Sequence, residues 1–392
     1  MSNVASRVDT IAVVGGGLAA ARACETLRDE GFDGRLVLVS AEQHPPYERP
    51  PLSKGYLLGH DPLEKAFVHG STWYSDHHVD LRLSTSAEGL DLERHTLTTA
   101  NGDEVWFDRL LLATGAGPRH LPQADASSGP VTYLRTIEDS DRLKVALKPG
   151  QRLVVIGGGW IGLEVAAAGR ILGAEVTVVE PMAQPLLRVL GSEVGELFAD
   201  LHREHGVDLR LSTSVETIEA NGETAVVRLS DGWTVTADLV LVAIGAVPRT
   251  TLAEVAGLSI DNGVVVDQRL RTSHPDVYAA GDVANAFHPG LGRHVRVEHW
   301  DNAIHQGRTA ARNLLGAEET YERVPYFFTD QYDLGMEYVG AVGPEGYDDV
   351  EVRGDLDRRV FTAYWRKGGR VVAGMHANDW DAIDEVRRAV SG

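Results

Sequence analysis

The sequence predicts an α/β protein with two doubly wound, parallel-sheet domains and a small α+β domain at the C-terminus. Three observations support this fold class. Apolar, strand-like runs alternate with helix-like stretches, which is the pattern of a doubly wound sheet. This pattern occurs twice, each time with a triple-glycine turn after the first strand. The sequence after about residue 319 has a different texture, because it is rich in aromatic residues and ends in an amphipathic helical pattern.

The first copy begins with a strand, the glycine turn at residues 15–17 and a helix, together spanning residues 10–34. Arg35–Val39 follows and is almost entirely apolar after its first residue, which predicts a buried parallel strand. A hairpin is expected around Asn-Gly at residues 101–102, because this dipeptide favours a tight turn between antiparallel strands. The copy ends with Thr-Gly-Ala-Gly-Pro-Arg at residues 114–119.

The second copy repeats this order. Its first strand is expected at Arg152–Ile156, its glycine turn at residues 157–159 and its next strand at residues 174–180. A hairpin is expected at Ser-Asp-Gly, residues 230–232, and the copy ends with Ile-Gly-Ala-Val-Pro-Arg at residues 244–249. The matched endings indicate an internal duplication.

A third block, around residues 277–284, is expected to return to the first domain and make it discontinuous. A helix is predicted from about residue 301 to residue 315. At the C-terminus, an amphipathic helix is predicted because its apolar residues fall on one face; these are Ala382, Ile383, Val386 and Val390. The predicted domains are residues 1–113 with 246–318, residues 114–245, and residues 319–392.

Composition excludes several classes of function. The formal net charge of −20 disfavours nucleic acid and anionic membranes as partners. No run of 18 apolar residues occurs, so a membrane span is not expected. Residues 1–9 are polar and lack the apolar core of a signal peptide, which predicts a cytoplasmic location. The single cysteine, Cys24, excludes an internal disulfide and a Cys-x-x-Cys centre, and it is expected to be a small buried residue.

The two glycine turns have the pattern that binds dinucleotides. Gly15 and Gly17 would allow close approach to a pyrophosphate, and the N-terminus of the following helix would stabilise its charge. Ala20 stands at the third glycine position, which the pattern tolerates. Two such turns in one chain predict two dinucleotides, a flavin and a nicotinamide, with electrons passing between them.

An acidic residue after the second strand of each copy would bind the ribose hydroxyls. Glu180 lies at about the usual distance from the second glycine turn, and its charge favours NADH over NADPH because it would repel a 2′-phosphate. Arg188 is nearby, so binding of NADPH is not excluded. The first copy has no acid at the expected place, so Glu42 either takes the ribose role or is a solvated loop residue.

No metal site is predicted. His202 and His205 have i, i+3 spacing, but zinc needs three or four ligands and no obvious third ligand accompanies them. The remaining candidates have no recognised metal spacing and are expected in loops or at the surface: His288, His294, His299 and His305.

Four segments together are more specific than the glycine turns. They are Tyr-Glu-Arg-Pro-Pro-Leu-Ser-Lys at residues 47–54, Gly-Gly-Gly-Trp-Ile-Gly-Leu-Glu at 157–164, Tyr-Ala-Ala-Gly-Asp-Val-Ala at 278–284 and Asp-Gln-Tyr at 330–332. Over nearly its whole length the chain resembles the FAD-dependent, NADH-linked ferredoxin reductases, the family of putidaredoxin reductase and biphenyl dioxygenase reductase. This resemblance implies the glutathione-reductase-like arrangement of an FAD domain and an NADH domain.

The resemblance also implies roles for single residues. Lys54, which on spacing alone could be a solvated lysine in a proline-stiffened loop, would lie near flavin N5 and pair with Glu164. Glu164 would then lie beside the nicotinamide, so Lys54 and Glu164 are the predicted catalytic residues. Asp282 would bind the ribityl chain, and Trp300 would back the flavin. The helix that starts near Asp301 would point its positive end at flavin N1 and O2.

The motifs and the resemblance together predict a set of cofactor-binding residues. They are Gly15, Gly17, Leu18, Ala19, Ala20, Glu42, Arg49, Pro50, Lys54, Ala87, Ala113, Thr114, Gly115, Arg135, Gly157, Gly159, Trp160, Ile161, Gly162, Glu180, Arg188, Gly245, Gly281, Asp282, Glu298, His299, Trp300 and Phe328. Two of the family's positions differ. Phe328 stands where relatives often carry tryptophan, and Ala41 stands where relatives are expected to carry the ribose acid.

The implied function is transfer of a hydride from NADH to FAD, followed by single-electron transfer to a 2Fe-2S ferredoxin that serves a haem-thiolate monooxygenase or a Rieske oxygenase. Two alternatives stay open: a rubredoxin reductase and an NADH-binding flavoprotein like apoptosis-inducing factor. A monomer is expected and a dimer is possible. A docking patch for the ferredoxin is hypothesised from these arginines: Arg49, Arg293, Arg296, Arg308 and Arg312.

Overall fold

The computed structural model describes residues 8–392 and divides the chain into two compact units. The units are Met1–Glu48, Glu64–Gly117 and Val247–Pro325, and Arg49–Leu63, Pro118–Ala246 and Tyr326–Gly392. The interpretation of residues 1–9 as lacking a signal peptide falls, for all but the last two of them, outside the described residues. The predicted division into three domains stays a prediction.

The first unit is built on a five-stranded parallel sheet. Four of its strands are almost fully buried because helices cover the sheet, as is typical of parallel sheets. Across the sheet the order is β19 (Val277–Ala279), β7 (Arg109–Leu112), β1 (Thr10–Val14), β2 (Arg35–Val39) and β3 (Val79–Arg82).

Two three-stranded sheets and four helices complete the first unit. One sheet is antiparallel and contains β4 (Ala87–Asp91), β5 (Thr96–Thr99) and β6 (Glu104–Trp106); the other contains β18 (Val264–Val266), β20 (Ala284–His288) and β21 (Arg293–Arg296). The helices are α1 (Leu18–Asp29), α2 (Trp73–Asp76), α7 (Thr251–Val255) and α8 (Trp300–Leu314). The hairpin predicted at residues 101–102 is confirmed as β5–β6, and the helix predicted near residues 301–315 is α8.

The second unit also contains a five-stranded parallel sheet. It consists of β12 (Asp208–Leu211), β11 (Glu175–Glu180), β10 (Arg152–Ile156), β16 (Leu239–Val242) and β9 (Val131–Tyr133). An antiparallel sheet follows β12 in the chain and contains β13 (Val215–Asn221), β14 (Thr224–Leu229) and β15 (Thr234–Ala237). The hairpin predicted at residues 230–232 is confirmed as β14–β15.

Helices of the second unit are α3 (Pro122–Asp125), α4 (Ile137–Ala146), α5 (Trp160–Ile171) and α6 (Leu187–Glu204).

Short 3₁₀ turns occur in both units, at Pro50–Ser53, Leu63–Ala66, Gly281–Val283 and Pro289–Leu291. The turn at Pro50–Ser53 contacts α4 and α5, which is why residues 49–63 group with the second unit and not with the predicted first domain. Two short strands, β8 (Ala116–Pro118) and β17 (Ala246–Pro248), lie where the chain passes between the units.

The C-terminal part of the second unit is a five-stranded antiparallel sheet with one helix. The sheet order is β22 (Tyr326–Gln331), β23 (Leu334–Gly340), β26 (Arg370–Ala377), β25 (Val360–Lys367) and β24 (Asp349–Asp355), and the helix is α9 (Ile383–Ser391). One face of this sheet shares an apolar core with α5 and α6. The predicted fold class, two doubly wound domains with a C-terminal α+β domain, is confirmed.

Trp365 illustrates how this core is held together. Its ring is fully buried, and its indole Nε1 donates a hydrogen bond of 3.1 Å to the carbonyl of Leu190. Helix α6 is interrupted at the next residue, Gly191. Among residues 8–392, no helix is both long and apolar enough to cross a membrane.

Trp365→Phe is expected to lower the free energy of unfolding by about 1–3 kcal/mol, because a buried carbonyl loses its hydrogen-bond donor. Denaturant titration followed by circular dichroism would measure the change. The matched control is Trp106→Phe, because Trp106 is 48% exposed and its replacement should change stability by no more than about 0.5 kcal/mol. Equal effects of the two substitutions would contradict the importance of the Leu190 contact.

Candidate functional site

The glycine turn of the first unit packs against the end of β7. Gly15 has a φ of +121°, and a Cβ atom there would lie 2.0 Å from the carbonyl oxygen of Ala113, so only glycine fits. Gly17 is different, since its φ is −95° and a Cβ atom there would meet nothing within 4 Å. Neither the backbone nor the packing requires glycine at position 17, and close approach of a ligand explains it.

The second glycine turn has the same geometry. Gly157 has a φ of +108°, and its Cβ atom would lie 2.4 Å from the carbonyl oxygen of Ala243. Gly159 has a φ of −84° and open space around it. A Cβ atom at Gly162 would lie 2.1 Å from the carbonyl oxygen of Gly157, so α5 can pack on the turn only with glycine there. Both turns end at a helix N-terminus, which suits a pyrophosphate.

Glu180 ends β11 beside the second glycine turn. Its Oε2 accepts a hydrogen bond of 2.7 Å from the backbone N–H of Gly158, and its Oε1 accepts one of 2.9 Å from Met182. The carboxylate is therefore fixed next to the turn, where the sequence predicts a ribose-binding acid. Arg188 lies in the first turn of α6, with its guanidinium 4.0 Å from the sulfur of Met182.

In the first unit, Ser40 occupies the place that Glu180 has in the second. The strand registers pair Val14 with Val39 and Ile156 with Val179, so the residue that follows each of these pairs on the second strand's side is Ser40 or Glu180. Ser40 therefore stands at the register position of Glu180, and Ala41, where relatives are expected to carry the acid, is the next residue. The side chain of Ser40 is buried, which leaves the position without a charge.

Glu42 lies just beyond Ser40 and accepts a hydrogen bond from the hydroxyl of Tyr47. Its carbonyl accepts from the N–H of Ser84 at 2.9 Å, and that of Ser40 accepts from Thr85 at 2.8 Å. The segment that leads to Ala87 at the start of β4 therefore adjoins the end of β2.

Residues 281–282 lie next to the first glycine turn. The N–H of Gly281 donates a hydrogen bond of 2.9 Å to the side chain of Gln306 on α8, and a Cβ atom at Gly281 would lie 3.1 Å from that of Ala19. Arg296 donates to the carbonyl of Asp282 at 3.2 Å and pairs with Glu298 at 2.5 Å. The first unit thus gathers Asp282, Glu298 and the start of α1.

Other predicted residues of the first unit fall around the same turns. Leu18, Ala19 and Ala20 form the first turn of α1, and Ala113, Thr114 and Gly115 follow β7. His299 and Trp300 lie at the start of α8. The structure therefore gathers residues that the sequence separates by more than 250 positions.

In the second unit, the buried carboxylate of Glu164 forms an ion pair with the partly buried Lys54. The Nζ atom of Lys54 lies 2.6 Å from Oε1 of Glu164, and the carboxylate side chain is 7% exposed. Ser53 donates a hydrogen bond of 2.5 Å to Oε2, and Thr329 donates one of 2.6 Å to Oε1. Three donors compensate for the loss of water around the carboxylate, which would otherwise be costly to bury.

The pairing of Lys54 with Glu164 follows the resemblance, whereas Ser53 and Thr329 were not predicted. Ser53 lies within the recognised segment at residues 47–54, and Thr329 directly precedes the Asp-Gln-Tyr segment. Their polar side chains, close to the recognised motifs, were the sequence signal that could have identified them as site residues.

Two more side chains face this ion pair. The ring centroid of Phe328 lies 5.6 Å from Nζ of Lys54, within the range of a cation–π contact. Phenylalanine therefore keeps a ring beside the lysine at the position where tryptophan was expected. Desolvation raises the pKa of the Asp330 carboxyl; Lys54 opposes the rise and Glu164 adds to it.

Further predicted residues of the second unit lie on neighbouring loops. The guanidinium of Arg49 donates to the carbonyl of Arg135, whose own N–H donates to Asp139 at 2.9 Å at the start of α4. Pro50 begins the 3₁₀ turn that ends at Ser53. The remaining three are Trp160 and Ile161, which begin α5, and Gly245, which follows β16.

His202 and His205, considered above as metal ligands, have other contacts. His202 is fully buried and its Nε2 lies 2.9 Å from Oε1 of Gln331, while the ring of His205 stacks on Tyr332 at a centroid distance of 3.7 Å. Burial lowers the pKa of His202 to about 4. His288 was expected in a loop or at the surface, which is wrong, because it is buried at the end of β20.

A group that the sequence did not suggest brings His95, His274 and Asp276 together, with potential ligand atoms within 4.8 Å of one another. The chemistry fits a cation poorly. Asp276 already pairs with Arg109 at 2.8 Å, and Nδ1 of His274 accepts a hydrogen bond from the N–H of Asp276 at 3.2 Å.

Cys24 is fully buried in α1, as predicted. Burial raises the pKa of its thiol to about 12, so the thiolate needed for redox chemistry is disfavoured.

Comparison with known proteins places this geometry in a family. The profile of the pyridine nucleotide-disulphide oxidoreductases matches residues 9–307. The chain belongs to this family. A reductase C-terminal domain matches residues 326–392.

Its relatives are ferredoxin reductases. The chain is 40% identical to the ferredoxin–NAD(+) reductase component of the anthranilate 1,2-dioxygenase system of Burkholderia cepacia, covering 98% of this chain and 94% of the relative. It is 38% identical to putidaredoxin reductase of Pseudomonas putida, covering 97% and 89%. The resemblance stated from the sequence is confirmed.

A solved structure, the covalent putidaredoxin reductase–putidaredoxin complex, matches with a TM-score of 0.93 and 36% identity, covering 98% of this chain and 93% of the matched chain. The protein is an oxidoreductase that uses FAD and NAD(H). The two open positions at Gly17 and Gly159 fit this pair of dinucleotides.

Gly159→Ala is expected to weaken NADH binding by about tenfold or more, because a methyl group would stand where the ligand approaches the backbone. The melting temperature should not fall, since the methyl group meets no protein atom. Gly157→Ala is the matched comparison and should destabilise the protein, because it combines a positive φ with a 2.4 Å contact. Fluorescence titration with NADH and a thermal melt would test both. Unchanged NADH affinity in Gly159→Ala would argue against the pyrophosphate site.

His202→Gln is expected to flatten the acid side of the stability profile. The native pKa of His202 lies below its unfolded value of 6.5, so the unfolded chain binds the proton first and stability is lost as the pH falls from 6.5 towards 4. Between pH 7 and pH 5 the wild-type protein should therefore lose about 2 kcal/mol more than the variant, which cannot titrate there. Urea titrations at both pH values would measure this, and equal losses would refute it.

Proposed function

We propose that this protein is the reductase of an oxygenase electron-transfer chain. It takes a hydride from NADH and delivers electrons one at a time to a 2Fe-2S ferredoxin, which serves a haem-thiolate monooxygenase or a Rieske oxygenase. The single observation that carries the proposal is the presence of two dinucleotide turns, Gly15–Gly17 and Gly157–Gly159, in a chain with the Lys54–Glu164 pair. The names of its relatives point the same way.

Each unit would hold one dinucleotide. FAD would bind at the first glycine turn together with Asp282, and NADH would bind at the second together with Glu180. Bound FAD supplies the chemistry, because it accepts two electrons as a hydride and releases them singly. The protein's contribution is to bind and orient the two dinucleotides and to exclude competing reactions.

Glu164 and Lys54 would act at the nicotinamide end of NADH. Glu164 lies on α5, the helix that starts at the second glycine turn, so a dinucleotide bound at that turn can extend along the same unit. The carboxylate and the ammonium group are held by short contacts and partly buried. Such fixed charges are suited to orienting a reacting ring.

The hypothesised docking patch for the ferredoxin carries less uncompensated positive charge than the sequence suggested. Arg296 pairs with Glu298 at 2.5 Å, Arg312 with Glu319 at 2.5 Å and Arg308 with Glu25 at 4.0 Å. These carboxylates offset much of the positive charge assigned to the hypothesised patch. The salt dependence of ferredoxin reduction should therefore be modest.

A cytoplasmic location is also proposed, because a reductase that draws on NADH and has one buried cysteine needs no oxidising compartment. A monomer is proposed as its state in solution.

The first experiment mixes the purified yellow protein with NADH or NADPH anaerobically and follows flavin bleaching near 450 nm. Fast bleaching by NADH is expected. Slow bleaching by both nucleotides would instead favour an NADH-binding flavoprotein like apoptosis-inducing factor. Absence of bound flavin would contradict the proposed FAD site at the first glycine turn.

Glu180→Gln tests the nucleotide preference. The amide keeps a hydrogen-bond acceptor for Gly158 but removes the charge that repels a 2′-phosphate. The preference for NADH over NADPH, measured as the ratio of bleaching rates at low nucleotide concentration, should fall about tenfold, equivalent to about 1.4 kcal/mol. Glu175→Gln, on the same strand but away from the turn, should leave the ratio unchanged. An unaltered ratio in Glu180→Gln would contradict the role of Glu180 in binding the ribose of NADH.

A further inference from the structure

The Asp-Gln-Tyr segment at residues 330–332 has no role in the proposal above, yet it continues the contacts of Glu164. Thr329 donates to Oε1 of Glu164 at 2.6 Å, and the amide Nε2 of Gln331 donates to the hydroxyl of Thr329 at 3.3 Å. The carbonyl oxygen of Gln331 lies 2.9 Å from Nε2 of His202. A continuous chain of hydrogen bonds therefore runs from α6 through β22 to α5.

The direction of every bond in this chain follows from its last member. An ionised carboxylate can only accept, so the hydroxyl of Thr329 must donate to Glu164. Its oxygen is then free to accept from the amide of Gln331, whose carbonyl in turn accepts from His202. This assigns the proton of the neutral imidazole of His202 to Nε2.

The other nitrogen of His202 agrees with this direction. Its Nδ1 lies 3.4 Å from the hydroxyl of Tyr332, which can donate to it. Tyr332 in turn stacks on His205. The histidine is thus bounded by one acceptor, Gln331, and one donor, Tyr332, as a neutral ring requires.

Burial makes the chain hard to replace by water. His202 is 0% exposed, Gln331 and Thr329 are each 1% exposed, and Glu164 is 6% exposed. Because water scarcely reaches these side chains, each one forms its hydrogen bond with its neighbour in the chain. Loss of one side chain would therefore leave a buried polar group without a hydrogen-bond partner. Thr329 also shares the Oε1 atom of Glu164 with Lys54, so a rotation of the carboxylate would displace the lysine.

We propose that His202 and Gln331 are positioning residues which, through Thr329, fix the orientation of the Glu164 carboxylate and with it the position of Lys54. The functional consequence rests on the proposed function, in which this pair orients the nicotinamide. The chain of hydrogen bonds itself does not depend on that proposal, so the two can fail separately.

Kinetics of the FAD-loaded protein provide the first test. Thr329→Val removes the hydroxyl and keeps the shape, and His202→Leu removes the donor to Gln331. Both should lower the rate of flavin reduction at saturating NADH by about tenfold, because misplaced orienting groups reduce the rate of the bound complex. The Kd for NADH should change less than about twofold, since the turn at Gly157–Gly159 and Glu180 are untouched.

Two further variants separate positioning from general loss of stability. His202→Gln keeps an N–H donor for Gln331 and should restore the saturated rate to within about twofold of wild type. Thr26→Val removes a buried hydroxyl that donates only to the carbonyl of Arg22 at 2.8 Å, so it should leave the rate per folded molecule unchanged. If Thr329→Val behaves like Thr26→Val, the positioning role is refuted.

Nitrogen-15 NMR of the histidine rings provides a test that needs no activity. The resonances that disappear in His202→Gln identify His202. They should show the neutral form protonated at Nε2, and the Nε2 resonance should shift in Thr329→Val. Protonation at Nδ1 would overturn the proposed direction of the chain. If the wild-type flavin is not reduced by NADH, the proposed function fails, and the NMR result still decides whether the hydrogen-bond chain exists.

Discussion

The second unit depends on keeping a charged carboxylate in a place that water scarcely reaches. Glu164 is tolerated there because two segments distant in sequence supply its donors: Ser53 and Lys54 in one, and Thr329 in the other. An unpaired carboxylate at this depth would cost several kcal/mol. The electrostatic demand of one side chain therefore links the loop at residues 49–63 and the C-terminal sheet to helix α5.

The duplicated architecture shows that similar backbones can host different chemistry. Both glycine turns close against a carbonyl oxygen and leave an open glycine two residues later. The residue at the carboxyl end of the second strand then differs, since Glu180 presents a fixed carboxylate whereas Ser40 is small, neutral and buried. The distinction between the two sites lies in this side chain and in what surrounds it.

Local sequence signals were sufficient for the strands, the glycine turns and the hairpins, because each is determined by neighbouring residues. The hydrogen-bond partners of Glu164 were beyond such signals. Thr329 lies 165 residues away from it, and no periodicity connects the two. The pairing with Lys54 was accessible only through resemblance. The prediction for His288 was wrong because the sequence around a histidine does not show whether its ring is buried or exposed.

The burial of Cys24 has a consequence for the protein's chemical durability. Flavoproteins that pass single electrons can also lose them to oxygen and generate peroxide close to their own side chains. Peroxide attacks thiolates far faster than thiols, and the one thiol here is enclosed in α1 and held protonated. The protein therefore offers no cysteine that its own by-product can readily convert to sulfenic acid, and its thiol chemistry stays silent during turnover.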